Sequence, residues 1–160
     1  MQLVSVLSAL LLCPAFAAVA QRQQEPEIRR GAAAFTFETV GGVGGSLLGV
    51  GGGLLIANAA NDCESEDLAC NLEQAATTGL VSVIGATAGT YLVGRAANTQ
   101  PSFVGSLLGA VAGAAAGVGV IHLLTEESNL ANNNATLVAA YSVTQGIVAA
   151  LGSRLVAAVR

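Results

Sequence analysis

Long uncharged stretches alternate with short polar ones along most of this chain. The polar parts are an acidic loop, a short turn from Arg95 to Pro101 and an Asn-rich loop. Each uncharged stretch is close to the roughly 20 residues with which an α-helix crosses a bilayer. The pattern therefore predicts four transmembrane helices, at about residues 39–57, 74–94, 102–125 and 135–153.

The first 38 residues differ from the rest. Residues 1–20, MQLVSVLSALLLCPAFAAVA, combine a short apolar core with a small-x-small site at Ala18-Val19-Ala20, which is typical of a secretory signal peptide. Cleavage there would remove Cys13 and leave Gln21 as the first residue. Residues 21–38 carry several Arg and Glu and are predicted to be a polar lead-in without a core of its own. Residues 39–160 are then the membrane domain.

Composition supports a membrane environment. Charged residues make up 10% of the chain, against roughly 25% in soluble domains, whereas apolar residues make up 53% and glycine occurs 20 times. The net charge is −4 and the only basic residues are six arginines, so no basic patch is available for nucleic acid. The expected partner is the lipid bilayer.

A small membrane β-barrel is the alternative fold, because a signal peptide followed by runs rich in Gly and Val would also allow one. Barrel strands alternate apolar and polar positions over about ten residues. The stretch SLLGAVAGAAAGVGVIHLL at residues 106–124 has no such alternation, and the chain ends in Ala-Val-Arg. We therefore expect an all-α fold of four Gly/Ala-rich helices.

Glycine recurs at every fourth position in the first and third segments. Residues four apart lie above one another on a helix, so each set forms a stripe without side chains. Each Gly costs roughly 1 kcal/mol of helix propensity, which close backbone packing can offset. Leu, Val and Ile fill the gaps, unlike in a flexible linker. The helix-packing residues of this glycine zipper are predicted to be Gly41, Gly45, Gly49, Gly53, Gly105, Gly109, Gly113 and Gly117.

A repeat with an offset of sixty residues supports two helical hairpins in tandem. The letters GSLLG at residues 45–49 return at 105–109, and Val81-Ser82-Val83 matches Tyr141-Ser142-Val143. The second match is short. In each hairpin a glycine-striped helix is followed by a helix with small and hydroxyl residues four apart. The predicted faces for receiving the stripes are Ser82, Ala86, Thr90 and Gly94, and Ser142, Gly146 and Ala150.

This arrangement resembles small uncharacterised glycine-rich envelope proteins of Gram-negative bacteria. The shared features are the signal, a glycine-striped segment, a loop with two Cys, the segment Thr90-Tyr91-Leu92-Val93-Gly94-Arg95 and a second striped segment after Ser-Phe. The resemblance implies a location in the cell envelope and no known activity. A fainter similarity is to the four-helix mitochondrial protein-translocase channels, against which the secretory signal argues.

The loop DCESEDLACNLE places Cys63 and Cys70 seven residues apart. In an exported loop they are expected to form a disulfide, worth roughly 2–3 kcal/mol. A redox dithiol is less favoured, since no Cys-x-x-Cys or basic neighbour lowers a thiol pKa. Zinc would need two further ligands. The acidic residues at 62, 64, 66 and 73 match a calcium loop except for Asp67 at the glycine position, so a solvated acidic loop is expected.

Catalytic signals are weak in this sequence. His122 lies four residues before Glu126 near a segment end and is expected to meet the interface or pair with that Glu. Gln145, in mid-segment, is interpreted as an interhelical hydrogen-bonding residue. No cofactor or metal is expected. The first hypothesis is a non-enzymatic membrane protein that self-associates through the stripes.

Two other functions stay open. The first is a pore or transport component, whose polar lining would come from Thr78, Ser82, Thr87, Thr90, Ser142, Thr144 and Gln145. The second is a redox or metal-handling protein that uses Cys63 and Cys70.

The arginines leave the topology undecided. All six lie in the lead-in, in the turn at 95–101 or near the end of the last segment, so the positive-inside rule places the Cys loop outside. A cleaved signal followed by four spans would place that loop inside. Either the first segment is an uncleaved anchor, or the protein lies in a membrane to which the positive-inside rule does not apply, such as an outer membrane. The expected location is a cell-envelope membrane, inner or outer.

Overall fold

The fold is all-α. A computed structural model describes residues 27–60, 68–127 and 134–159, and over these ranges it contains helices and no strand. The helices are α1 (Glu27–Ala60), α2 (Leu68–Ala96), α3 (Phe103–Glu127) and α4 (Asn134–Ala158). The predicted all-α fold is confirmed, and the β-barrel alternative is wrong for the described ranges. The signal peptide at 1–20 and Cys63 lie outside them.

Each helix is long and apolar enough to cross a membrane. The candidate spans are Gly31–Ala59, Cys70–Ala96, Phe103–Thr125 and Asn134–Ala158. These spans cover the four segments predicted from the sequence, except for residue 102, which was the first residue of the third predicted segment. Such helices are those of a protein that resides in a bilayer.

The first helix begins earlier than expected. It starts at Glu27, within the residues assigned to a polar lead-in, and Ala34 and Glu38 are both buried. The predicted membrane domain began directly after Glu38. In the structure the side chain of Glu38 lies inside the protein, where it pairs with Arg154. The described residues from Ala34 onward form one compact unit.

The distribution of side chains is inverted relative to a water-soluble domain. Among the residues whose burial is described, the buried apolar ones are six alanines and Val50, and they are accompanied by ten buried polar or charged residues. The large apolar residues lie outside, for example Leu48 at 75% exposure and Leu55 at 72%. In water an apolar surface of this extent would be an aggregation site, whereas in lipid it is the expected exterior.

A short turn joins α2 to α3. At the end of α2, Asn98 adopts a left-handed conformation with φ of 57°, and the Thr99 amide donates to the Gly94 carbonyl at 3.0 Å. Such a residue commonly ends a helix. Ser102 then caps α3, because its hydroxyl accepts a hydrogen bond from the Gly105 amide at 3.2 Å. The turn is tight and therefore makes α2 and α3 antiparallel neighbours.

Candidate functional site

The first glycine stripe faces α2. A Cβ on Gly45 would overlap the Gly85 carbonyl oxygen, and one on Gly41 would overlap that of Gly89. Further along, a Cβ on Gly49 would lie 2.6 Å from the Ser82 Cα, and one on Gly53 would lie 2.7 Å from the Thr78 Cα. Four successive turns of α1 are thus in backbone contact with α2, which only glycine permits.

The second stripe faces α4 in the same way. Hypothetical Cβ atoms on Gly105 and Gly109 would overlap the carbonyl oxygens of Gly152 and Val148. The same atom on Gly113 would lie 2.8 Å from the Gln145 Cα, and on Gly117 it would lie 2.7 Å from the Tyr141 ring. Off the stripe, a Cβ on Gly119 would have nothing within 4 Å.

Both stripes are therefore used within one chain. The sequence led us to expect that they mediate self-association, but α2 covers the first and α4 covers the second. A second copy cannot occupy backbone that is already in contact with a neighbouring helix. The stripes thus pack inside each hairpin, where the sequence also predicted receiving faces on the second and fourth helices. Self-association stays a prediction, and it would need another surface.

The two hairpins differ in register. Gly49 faces Ser82, whereas its counterpart Gly109 faces Ala149, which is seven residues beyond Ser142. Seven residues are two helical turns, or about 10 Å. The matching residues 81–83 and 141–143 therefore do not occupy equivalent positions in the two hairpins. Among the predicted receiving residues, Ser82 faces its stripe, whereas Gly146 packs against Val43 of α1.

Gln145 joins the four helices near the middle of the domain. Its amide oxygen accepts a hydrogen bond from the Ser46 hydroxyl of α1 at 2.5 Å, and its amide nitrogen donates to the Ala110 carbonyl of α3 at 3.2 Å. The same nitrogen lies 3.4 Å from the Ser82 hydroxyl of α2. Gln145 is fully buried. Its predicted role as an interhelical hydrogen-bonding residue is confirmed.

Further polar groups extend from this centre in both directions. On one side, the Tyr141 and Ser82 hydroxyls are 3.0 Å apart, and Ser82 also donates to the Gly79 carbonyl at 2.8 Å. On the other side, Thr90 lies against Gly42 and is fully buried. Ser142, which follows Tyr141 on α4, is also fully buried, and neither hydroxyl has a hydrogen-bond partner. The interior is thus polar over several helical turns.

A buried ion pair closes the end of the domain at the α2–α3 turn. The Arg154 Nε donates to Glu38 Oε2 at 3.0 Å, and the Arg154 Nη2 lies 3.0 Å from Oε1. The Thr99 hydroxyl donates to Glu38 Oε1 at 2.6 Å. Glu38 is fully buried and Arg154 is 32% exposed. Sequence reasoning missed this pair, although one acidic and one basic residue inside two otherwise uncharged candidate spans, Gly31–Ala59 and Asn134–Ala158, were a usable signal.

The other candidates are not brought together in the described structure. Cys70 lies in the first turn of α2, and the disulfide stays a prediction because Cys63 is outside the described residues. His122 is exposed. Thr87 and Thr144 donate to carbonyls of their own helices, those of Val83 and Ala140. Over the described ranges, no three His, Cys, Asp or Glu side chains form a group that could hold a metal ion.

These features define the class. The chain is an all-α protein whose described residues form four helices capable of spanning a membrane, held together by close backbone contacts at glycines and by buried polar side chains. Comparison with protein-family models, with curated proteins and with solved structures finds no match to it.

Proposed function

We propose that this chain is a non-enzymatic integral membrane protein of the cell envelope. The observation that carries the proposal is its inverted packing, with glycine, alanine and serine between the helices and leucine, isoleucine and valine on the outside. Most of the buried polar residues are hydrogen-bonded, either to another side chain or to the backbone. Gln145 and the Glu38–Arg154 pair connect helices rather than line an open cleft, so they support a structural role.

The helix order supports one orientation in the membrane. Because neighbouring helices are antiparallel, Arg95 and Arg154 lie at the same end of the domain, and Glu73 and Cys70 lie at the opposite end. The positive-inside rule then favours a cytoplasmic α2–α3 turn and an external Cys loop. An external loop would be in an oxidising compartment, where a Cys63–Cys70 disulfide is stable. The resemblance to glycine-rich envelope proteins agrees with this location.

Thiol labelling of intact cells tests the proposal. We expect the protein in the membrane fraction, and we expect an impermeant maleimide to reach Cys63 and Cys70 from outside only after reduction of the disulfide. The matched control is Ala96→Cys, an exposed position beside the turn, in a chain whose native cysteines are replaced by serine. It should react only after lysis. Free thiols at 63 and 70 that react only after lysis would place the loop in the cytosol and contradict the proposal.

A pore or transport component is the second candidate, and one observation favours it. The buried hydroxyls of Thr90 and Ser142 lack partners and lie in the same interior as the Gln145 network. Both residues were on the predicted polar lining. Unsatisfied polar groups in a membrane interior often mark a path for water or ions.

Conductance measurements separate the two candidates. We expect no channel activity in planar bilayers, because backbone contacts such as those between Gly45 and Gly85 leave no room for an open path. The opposite result would be stepwise currents that Gln145→Leu abolishes. Those currents would replace the structural role with transport.

A further inference from the structure

A cavity of about 380 Å³ lies on the Tyr141 side of the Gln145 network. All four helices contribute to it, and its volume lies within the roughly 300–1,000 Å³ of small-molecule sites. On α2 the lining residues run from Asn71 to Ser82, about 16 Å along the helix axis. Most of the wall is aliphatic: Val50, Leu54, Val118, Ile121, Leu137 and Val138. The described lining carries no charged side chain.

The hydroxyls of Ser82 and Tyr141, at the inner end of the cavity, are hydrogen-bonded within the protein. Ser82 donates to the Gly79 carbonyl, so its hydroxyl oxygen accepts from Tyr141 and lies within reach of Gln145. The Thr78 hydroxyl lacks a partner, but it is buried and so is not presented to the cavity. An occupant therefore needs no polar group at this depth.

The outer end is different. Asn71 and Gln74 line the cavity near the start of α2, and Gln74 donates to the Asn58 side chain at 2.8 Å. Neutral amides at this end suit a polar group on the occupant. The site thus matches a molecule with a long apolar part inside and a polar part at the membrane surface.

The cavity is continuous with the lipid-facing surface. Leu54 and Val118 line it and are also 44% and 61% exposed. Water is a poor occupant of an apolar space because it finds few hydrogen-bond partners there. Lipid chains, by contrast, surround these two residues in a bilayer.

We propose that this cavity binds one fatty acyl chain, either of a phospholipid or of a free fatty acid, with its polar group at Asn71 and Gln74. The proposal rests on the membrane location proposed above. A substitution at Gly79 tests this proposal, because Gly79 lines the cavity and a Cβ at this position would have nothing within 4 Å. Gly79→Leu should therefore fill space without displacing a helix.

The experiment uses the full chain reconstituted in phosphatidylcholine vesicles with a photoactivatable acyl chain, either on the phospholipid or on free palmitate. We expect crosslinks at cavity residues such as Ile121 and Leu137 from at least one source, and their loss in Gly79→Leu. The source that labels identifies which molecule supplies the chain. The matched control is Gly119→Leu, which also enters open space but lies outside the cavity, and it should retain the crosslinks.

Several outcomes would overturn the inference. Crosslinks spread evenly over lipid-facing residues such as Leu48 and Leu155, and unchanged by Gly79→Leu, would mean that no chain is held. If the wild-type protein forms a dimer that Gly79→Leu abolishes, and no lipid labels the cavity, then the occupant of the cavity is a second copy of the chain. Failure of the wild-type protein to enter vesicles at all would instead contradict the membrane location.

Discussion

Replacing Gly109 by leucine is expected to lower the free energy of unfolding by at least about 3 kcal/mol, at the upper end of overpacking effects. A Cβ at this position would overlap the Val148 carbonyl and lie 2.8 Å from the Ala149 Cα. Backbone atoms in a helix cannot move aside individually, so α3 and α4 would have to separate. Titration with a denaturing detergent, followed by circular dichroism, measures the loss.

Gly119→Leu is the control for this effect. It lies in the same helix, introduces the same side chain and meets nothing within 4 Å. Removing a helical glycine there should be neutral or favourable, by up to about 1 kcal/mol of helix propensity. Equal stability of the Gly109 and Gly119 variants would show that α3 and α4 are not in backbone contact.

Arg154→Leu is expected to cost about 3–5 kcal/mol, because it leaves the carboxylate of Glu38 buried without its counter-charge. Glu38 is fully buried and, among the described residues, would retain only the Thr99 hydroxyl as a partner. The reverse change, Glu38→Leu, should cost less. Arg154 is 32% exposed, so its guanidinium can extend towards water. The same detergent titration compares the two variants.

The double variant Glu38→Leu with Arg154→Leu decides whether charge or shape matters here. Replacing both partners of a buried pair by apolar residues is often neutral, so much of the stability should return. If the double variant is as unstable as Arg154→Leu alone, then the pair stabilises the protein through its packing and the Thr99 contact, and not through neutralisation of the buried charge.

Much of the fold could be predicted from local pattern. Segment length and the absence of charge are properties of consecutive residues, and they predicted four helices that match α1 to α4. The spacing of glycines likewise predicted which face of α1 and α3 is bare. The spacing of the glycines does not show, however, which helix packs against them. The receiving faces were therefore predicted less well, and α4 lies seven residues away from the register that the repeat implied.

The site could be predicted only in part, because its contacts join residues far apart in sequence. Gln145 was correctly interpreted as a hydrogen-bonding residue from its place in an apolar helix, but its partner Ser46 is 99 positions away. Glu38 and Arg154 are 116 positions apart, and each alone looked like the polar edge of a segment. The cavity is lined by residues from all four helices, so no single segment encodes it.

The inverted packing has a consequence for how the domain responds to temperature. The heat-capacity change of unfolding reflects apolar surface newly exposed to water, and it amounts to roughly 12–15 cal/mol/K per residue in soluble domains. Here the large apolar side chains already face outward, and the helix contacts consist of glycine, alanine and serine. Separation of the helices inside a bilayer would therefore hydrate little apolar surface. Helix association in this protein would have a small heat-capacity change and a stability that varies almost linearly with temperature, without a cold-denatured state.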